Sequence, residues 1–242
     1  VPPVRLNALP AVLGFRSFSE ALMWQPRHGT QIVVVDADSL EVVSSEATDP
    51  WFQWHFGKGF VNQDGDIVLE VVRYEDFATN QQLQEIAAGA MQTPAIGQLW
   101  RLFVDPKTAV VRHQVCLIKE YCEFPQVAPH QSLATAPTFL SIQPPGQDNT
   151  GELFRAIARF DPDTAQVMVA EAGHDCYPAE PIYVPQAGET ASGWLLTVVY
   201  NGREHCSEVW IYDSDRLLDD PLCRLQLPSV IPHSFHGTWQ PR

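Results

Sequence analysis

One short pattern recurs four times along this chain and restricts its architecture more than any other feature. Val35-Asp36-Ala37-Asp38-Ser39-Leu40, Val104-Asp105-Pro106-Lys107-Thr108-Ala109, Phe160-Asp161-Pro162-Asp163-Thr164-Ala165 and Tyr212-Asp213-Ser214-Asp215-Arg216-Leu217 share one design. An apolar strand end runs into Asp, then a Pro or small residue, a charged residue and, after one more position, an apolar residue. The Asp carboxylate accepts hydrogen bonds from the backbone ahead of it, and Pro fixes φ at the next position, so the pattern specifies a tight hairpin turn. The four Asp residues lie 69, 56 and 52 residues apart. Spacing near 50 in a strand-rich chain is the spacing of propeller blades. A sandwich is equally rich in strands but does not call for one turn at so long an interval. About four blades are expected.

The rest of the chain agrees with an all-β reading. Gln31–Val35, Asp66–Tyr74, Leu99–Val104, Leu153–Phe160, Trp194–Tyr200 and Glu208–Tyr212 are rich in β-branched and aromatic residues and have strand length. Asn80–Ala90 reads as a short helix, Leu9–Met23 as another turn or two, and the stretch before Gly29 as loop. Twenty prolines and 14 glycines among 242 residues exclude a helical bundle. Gly57-Lys58-Gly59 lacks the rest of a phosphate loop and reads as a turn.

Charge narrows the function classes. The formal charge of −14 leaves no surface to track a phosphate backbone, so nucleic acid is not an expected partner. No apolar run has the length of a membrane span. The start carries no signal-peptide pattern, and Val1 in place of Met reads as a processed or partial chain. Cys116, Cys122, Cys176, Cys206 and Cys223 are odd in number and lack C-x-x-C spacing, which fits idle thiols in a reducing, cytoplasmic compartment.

The candidate chemistry rests on two of the eight histidines. His55 lies in Trp51-Phe52-Gln53-Trp54-His55-Phe56, and His236 in Pro232-His233-Ser234-Phe235-His236-Gly237. An imidazole among aromatics is either a hydrogen-bonded packing group or a metal ligand, and the residues alone leave both open. Glu123, before Phe124-Pro125, and Glu180, before Pro181-Ile182-Tyr183-Val184-Pro185, need a partner if buried. Each is either a surface carboxylate at a blade edge or the acceptor for the free N–H of a ligating histidine. No H-E-x-x-H helix, G-x-S-x-G elbow or P-loop occurs.

Five ordered segments resemble the C-terminal half of the carotenoid cleavage oxygenase family, whose enzymes use non-haem iron. They are Trp54-His55-Phe56-Gly57-Lys58-Gly59-Phe60 with Asp66–Leu69 and Val72-Arg73-Tyr74; Cys122-Glu123-Phe124-Pro125; Glu180–Pro185; Gly193–Leu196 with Val199-Tyr200-Asn201 and Ser207-Glu208; and Leu227–Pro232 running into Phe235-His236-Gly237-Thr238-Trp239. Trp-His-Phe followed by Arg73-Tyr74-Glu75-Asp76-Phe77 is most similar to bacterial, especially cyanobacterial, members. Lys58 and Val61 stand where many members have Asn or Thr and Glu.

The resemblance implies a seven-bladed β-propeller with Fe(II) on its axis. Residues 29–242 then form about four C-terminal blades and 1–28 a loop and short helix entering them. It also implies that His55 and His236 are two of four histidine ligands, with Glu123 and Glu180 receiving their outer N–H groups. The other two ligands are expected before Val1, so these 242 residues alone are expected to be inactive. The implied reaction is cleavage of a carotenoid or apocarotenoid double bond by O2 to aldehyde or ketone products, with no general base. The alternatives are a propeller binding module without activity, or a polyene ester hydrolase or isomerase on the same iron. Leu13, Phe15, Phe18, Leu22 and Met23, within Leu9–Met23, are the best candidate for a peripheral membrane contact, with packing into the core the equal alternative. If both histidines serve one ion, their ligating nitrogens stand on the order of 3 Å apart. His233 is expected to face away from His236 by strand alternation.

Overall fold

The computed structural model describes residues 1–128, 132–146, 151–186 and 192–240; His130 lies outside them. Turn chemistry explains most of the order seen. β1 (Val4–Leu6) and β2 (Leu22–Trp24) pair antiparallel around α1 (Ala8–Val12) and a 3₁₀ turn at Ser19–Ala21. The stretch before Gly29 is therefore partly sheet and not plain loop. The pairing is long-range, and nothing in local composition announces it. β3 (Thr30–Val35) and β4 (Val42–Thr48) form a two-stranded sheet.

Three larger antiparallel sheets follow. The first holds β5 (Phe52–Val61), β6 (Ile67–Tyr74), β7 (Gln98–Val104) and β8 (Val111–Ile118), with α2 (Ala78–Ala87) inserted between β6 and β7. The second holds β9 (Cys122–Val127), β10 (Thr138–Ile142), β11 (Ala156–Asp161) and β12 (Gln166–Glu171). In the last, β13 (Cys176–Pro178) and β14 (Ile182–Pro185) both pair with β15 (Gly193–Asn201), which continues to β16 (Cys206–Asp213) and β17 (Cys223–Gln226). The architecture is all-β, the blade arrangement of seven-bladed β-propellers. Among the described residues no helix is long and apolar enough to cross a membrane.

Three of the four Asp patterns are the expected hairpins, joining β3 to β4, β7 to β8 and β11 to β12. Asp36 Oδ1 accepts the Asp38 and Ser39 amides, Asp105 Oδ1 that of Lys107, and Asp161 Oδ1 those of Asp163 and Thr164. Each turn closes on a left-handed residue, Leu40, Ala109 or Ala165. The fourth departs from the pattern. Asp213 accepts the Asp215 amide, but Leu217 is fully buried and the chain returns only at β17. The same tight turn instead occurs at Asn201, whose Oδ1 accepts the Arg203 and Glu204 amides before left-handed His205. Asn supplies the same acceptor without charge.

The Gly57-Lys58-Gly59 triplet also differs from its expected turn, for it lies inside β5. A Cβ at Gly57 would stand 3.2 Å from Glu70 Cβ, and one at Gly59 3.1 Å from Leu69 Cδ2. The glycines serve close strand approach, not reversal.

The sheets stack face to face. Phe52, Val72, Leu99 and Ile118 meet Leu140, Ile142 and Phe160 across the first seam. Phe139 and Ile157 meet Tyr183, Leu195 and Trp210 across the second. A charged cluster crosses the first seam as well. Glu70, fully buried on β6, accepts Arg101 Nη2 at 2.6 Å and Thr138 Oγ1 at 2.7 Å. Lys58 Nζ stands 3.6 Å from Glu70 and donates to the Ala136 carbonyl at 2.5 Å. Burial pulls the Lys58 pKa down, and the opposing charge of Glu70 only partly offsets it.

Candidate metal centre

His55 enters from β5, a strand irregular in its pairing with β6 between Gln53 and Phe56. Glu123 comes from the start of β9, in the neighbouring sheet. His55 Nδ1 stands 2.7 Å from Glu123 Oε2. Glu123 is almost fully buried, and two more donors hold it: Tyr74 Oη to Oε1 at 2.7 Å and the Phe124 amide to Oε2 at 2.9 Å. Burial first, then the Glu123 charge, raises the Tyr74 pKa well above the phenolic range, so the hydroxyl remains a donor. Burial pulls the His55 pKa down, but the Glu123 hydrogen bond and the charges of Glu123 and Glu180 outweigh it, and the net shift is upward.

His236 sits in an irregular segment after β17. Its Nδ1 stands 3.3 Å from Glu180 Oε1. Glu180 immediately precedes Pro181 and β14, and it also accepts the Gln126 amide on Oε1 at 2.7 Å and the Gly237 N–H on Oε2 at 2.9 Å.

The two Nε2 atoms lie 3.2 Å apart, although 181 residues separate the rings in sequence. The four residues singled out from sequence are thus brought to one place. The carboxylates assign the tautomers: each Nδ1 carries the proton that its Glu accepts, which leaves each Nε2 with a lone pair. Two lone pairs facing one another repel unless a proton or a cation lies between them. That donor set fits a metal ion that prefers imidazole nitrogen. Among the described residues, no group of three or more His, Cys, Asp or Glu side chains is placed to hold a metal, so this pair would supply only part of a coordination sphere.

Phe124 packs between the halves of the site, its ring centroid 5.2 Å from that of His55 and 5.7 Å from that of His236. Its φ of 59° is rare for a bulky side chain and costs roughly 1–3 kcal/mol. Sequence reading passed over Tyr74 and Gln126, the further donors to the two carboxylates. The Pro in Glu123-Phe124-Pro125-Gln126 was the available signal for Gln126, because Pro inside a strand marks a bulge.

Both imidazoles open onto an apolar cavity of about 580 Å³. Trp54, Leu83, Ile86, Met91, Phe154 and Phe235 supply much of its wall. Trp54 Nε1 donates to Thr79 Oγ1 at 3.0 Å, tying β5 to α2. In the last turn of α2, Glu85 accepts the Thr93 hydroxyl and the Gln92 and Thr93 amides of the following loop, which lowers its pKa to about 2. His233 lines the same cavity as His236, against expectation. The segment that carries both is not a strand, so alternation does not govern it.

The retinal pigment epithelial membrane protein family model matches residues 1–241. The apocarotenoid-15,15'-oxygenase of Synechocystis is 28% identical over 239 residues, covering 98% of this chain and 48% of that protein. The carotenoid isomerooxygenase of Galleria mellonella is 26% identical over 238 residues, covering 93% and 46%. A crystal structure of the cobalt-substituted Synechocystis apocarotenoid oxygenase superimposes with a TM-score of 0.83 at 26% identity, over 98% of this chain and 49% of that one. The chain spans about half the length of these relatives.

Proposed function

The chain belongs to the retinal pigment epithelial membrane protein family, and from that premise we propose that the protein carrying it is a non-haem Fe(II) dioxygenase. The proposed reaction cleaves a conjugated double bond of a carotenoid or apocarotenoid with O2 to aldehyde or ketone products. One observation carries the reading: two imidazole Nε2 atoms 3.2 Å apart, each backed by a carboxylate at Nδ1, at the wall of a large apolar cavity. His55 and His236 would hold the iron, which when bound supplies the oxygen chemistry that side chains lack.

The residues of this chain perform the remaining work. Glu123 and Glu180 fix the rings by their Nδ1 hydrogen bonds and make them more basic donors. The apolar wall from Trp54 to Phe235 accommodates a polyene and excludes water from the bond to be broken. No side chain is required to move a proton. We assign residues 29–242 to the C-terminal blades and 1–28 to the segment entering them. Leu13, Phe15, Phe18 and Met23 are exposed on that segment, as is Leu9, while Leu22 is half-buried in β2; the exposed set supports a peripheral membrane contact in a cytoplasmic protein.

The test is turnover by the full-length protein, prepared without oxygen and loaded with Fe(II), on an apocarotenal or carotenoid under ¹⁸O₂. Two carbonyl products carrying label, formed only with iron, are expected. Acid or alcohol products without label would make the protein a hydrolase, and folded protein without any product would make it a binding module.

A further inference from the structure

Residues three apart in a regular strand face opposite sides, yet Glu123 and Gln126 of β9 act on the same side. Glu123 meets His55, while Gln126 Nε2 donates to Glu180 Oε1 at 2.7 Å, the oxygen that also faces His236 Nδ1. The register gives the reason. Glu123 pairs with Ser141 and Gln126 with Phe139, so Phe124 and Pro125 together oppose Leu140 alone. One extra residue turns an odd offset into an even one. The left-handed φ of Phe124 and the missing N–H of Pro125 suit the bulge, and the Phe124 amide turns to Glu123.

We infer that Gln126 is a positioning residue for His236, delivered to that place by the Phe124–Pro125 bulge. The inference rests on reading His236 as a metal ligand. Glu180 lies in the loop just before β14, outside the sheet of β9, and the Gln126 amide ties its carboxylate to β9. With Oε1 held by Gln126 and Oε2 by the Gly237 amide, the carboxylate has one orientation, and it presents Oε1 to His236 Nδ1. His236, on an irregular and exposed segment, depends on that acceptor to keep its proton on Nδ1 and its Nε2 lone pair toward His55. An amide suits the task because its N–H₂ donates and carries no charge into a site already holding two carboxylates.

Gln126→Met keeps the length and removes the donor, whereas Gln126→Glu keeps the shape and replaces the donor by a like charge. Two readouts apply to the full-length protein: histidine tautomers by ¹⁵N NMR without metal, and Co(II) affinity by titration. Gln126→Met is expected to leave His55 in its Nδ1–H form, to turn His236 into a tautomer mixture, and to weaken Co(II) binding roughly 10–100-fold. Gln126→Glu is expected to bind Co(II) more weakly still. A packing role predicts the reverse order, with the isosteric Glu closer to wild type. Equal Co(II) affinity in all three proteins, or equal tautomer change at both histidines, would overturn the inference. Wild-type protein that binds no Co(II) would overturn the metal reading instead, and the tautomer contrast would still decide whether Gln126 governs His236.

Discussion

The two histidine–carboxylate pairs are alike in chemistry and unlike in support. His55 rides on a ten-residue strand, its contact with Glu123 is 2.7 Å, and its side chain is 27% exposed. His236 hangs on an irregular segment, its contact with Glu180 is 3.3 Å, and its side chain is 57% exposed. The first pair is fixed by sheet and core, since Tyr74 and the Phe124 backbone close around Glu123. The second is fixed mainly by hydrogen bonds from Gln126 and Gly237, with the Phe124 ring against His236. A site built this way has one rigid wall and one adjustable wall. Rigidity should therefore reside with His55, and sensitivity to neighbours with His236.

Truncating either histidine breaks the comparison most sharply. His55→Ala and His236→Ala should each abolish stoichiometric iron, measured by metal analysis of the full-length protein. They should differ in stability without metal. His55→Ala leaves the buried Glu123 short of a donor and should cost about 1–3 kcal/mol in denaturant unfolding. His236→Ala should cost less, because its ring is more exposed and its contact with Glu180 is longer. Equal losses would mean that the two walls are equally rigid. A smaller effect is expected from the acceptors. Glu123→Gln and Glu180→Gln should weaken Co(II) affinity roughly 10–100-fold, with Glu123→Gln at the upper end because its contact is shorter and drier.

Tyr74→Phe should cost about 1 kcal/mol of stability and change the tautomer at His55 and not at His236, read by ¹⁵N NMR. The smallest effect is a pH dependence. Glu85 anchors the loop after α2, the helix tied to the His55 strand through Trp54 and Thr79. Its folded pKa of about 2 lies below the ordinary 4.5. The stabilisation is therefore complete above the ordinary value and is lost as pH falls from there toward 2. The protection of the Thr93 amide against hydrogen exchange, relative to its intrinsic rate, should fall over that window, and Glu85→Gln should remove that pH dependence.

Legibility from sequence followed the range of each interaction. The Asp turns were readable because a side chain bonds to its own backbone two and three residues on, and the Asn201 turn makes the same bonds from an amide that the Asp pattern does not contain. His55, His236, Glu123 and Glu180 entered through family resemblance, since no local rule joins residues 181 apart in sequence. Gln126 and Tyr74 escaped for a related reason. Their partners come from other strands, and Gln126 reaches its place only through a bulge that shifts the face it occupies. The strand expected at Leu153–Phe160 begins later, at Ala156, because Leu153 and Phe154 are drawn into the cavity wall. Gly57 and Gly59 read as turn formers until the side chains of Leu69 and Glu70 filled the space above them.

The seam beneath the site has a further consequence, for ionic strength. Arg112, half-exposed between Asp105 and Asp66, lies where dissolved ions circulate. Its attraction to the two carboxylates fades as the screening length shrinks from about 30 Å at 0.01 M to about 3 Å at 1 M. Lys58, Glu70 and Arg101 lie where ions do not reach, the first two side chains being wholly enclosed. Concentrated salt should therefore loosen the rim turns and leave the joint between the first two large sheets intact. The geometry between His55 and Glu123, one residue from each side of that joint, becomes indifferent to the salinity of the medium.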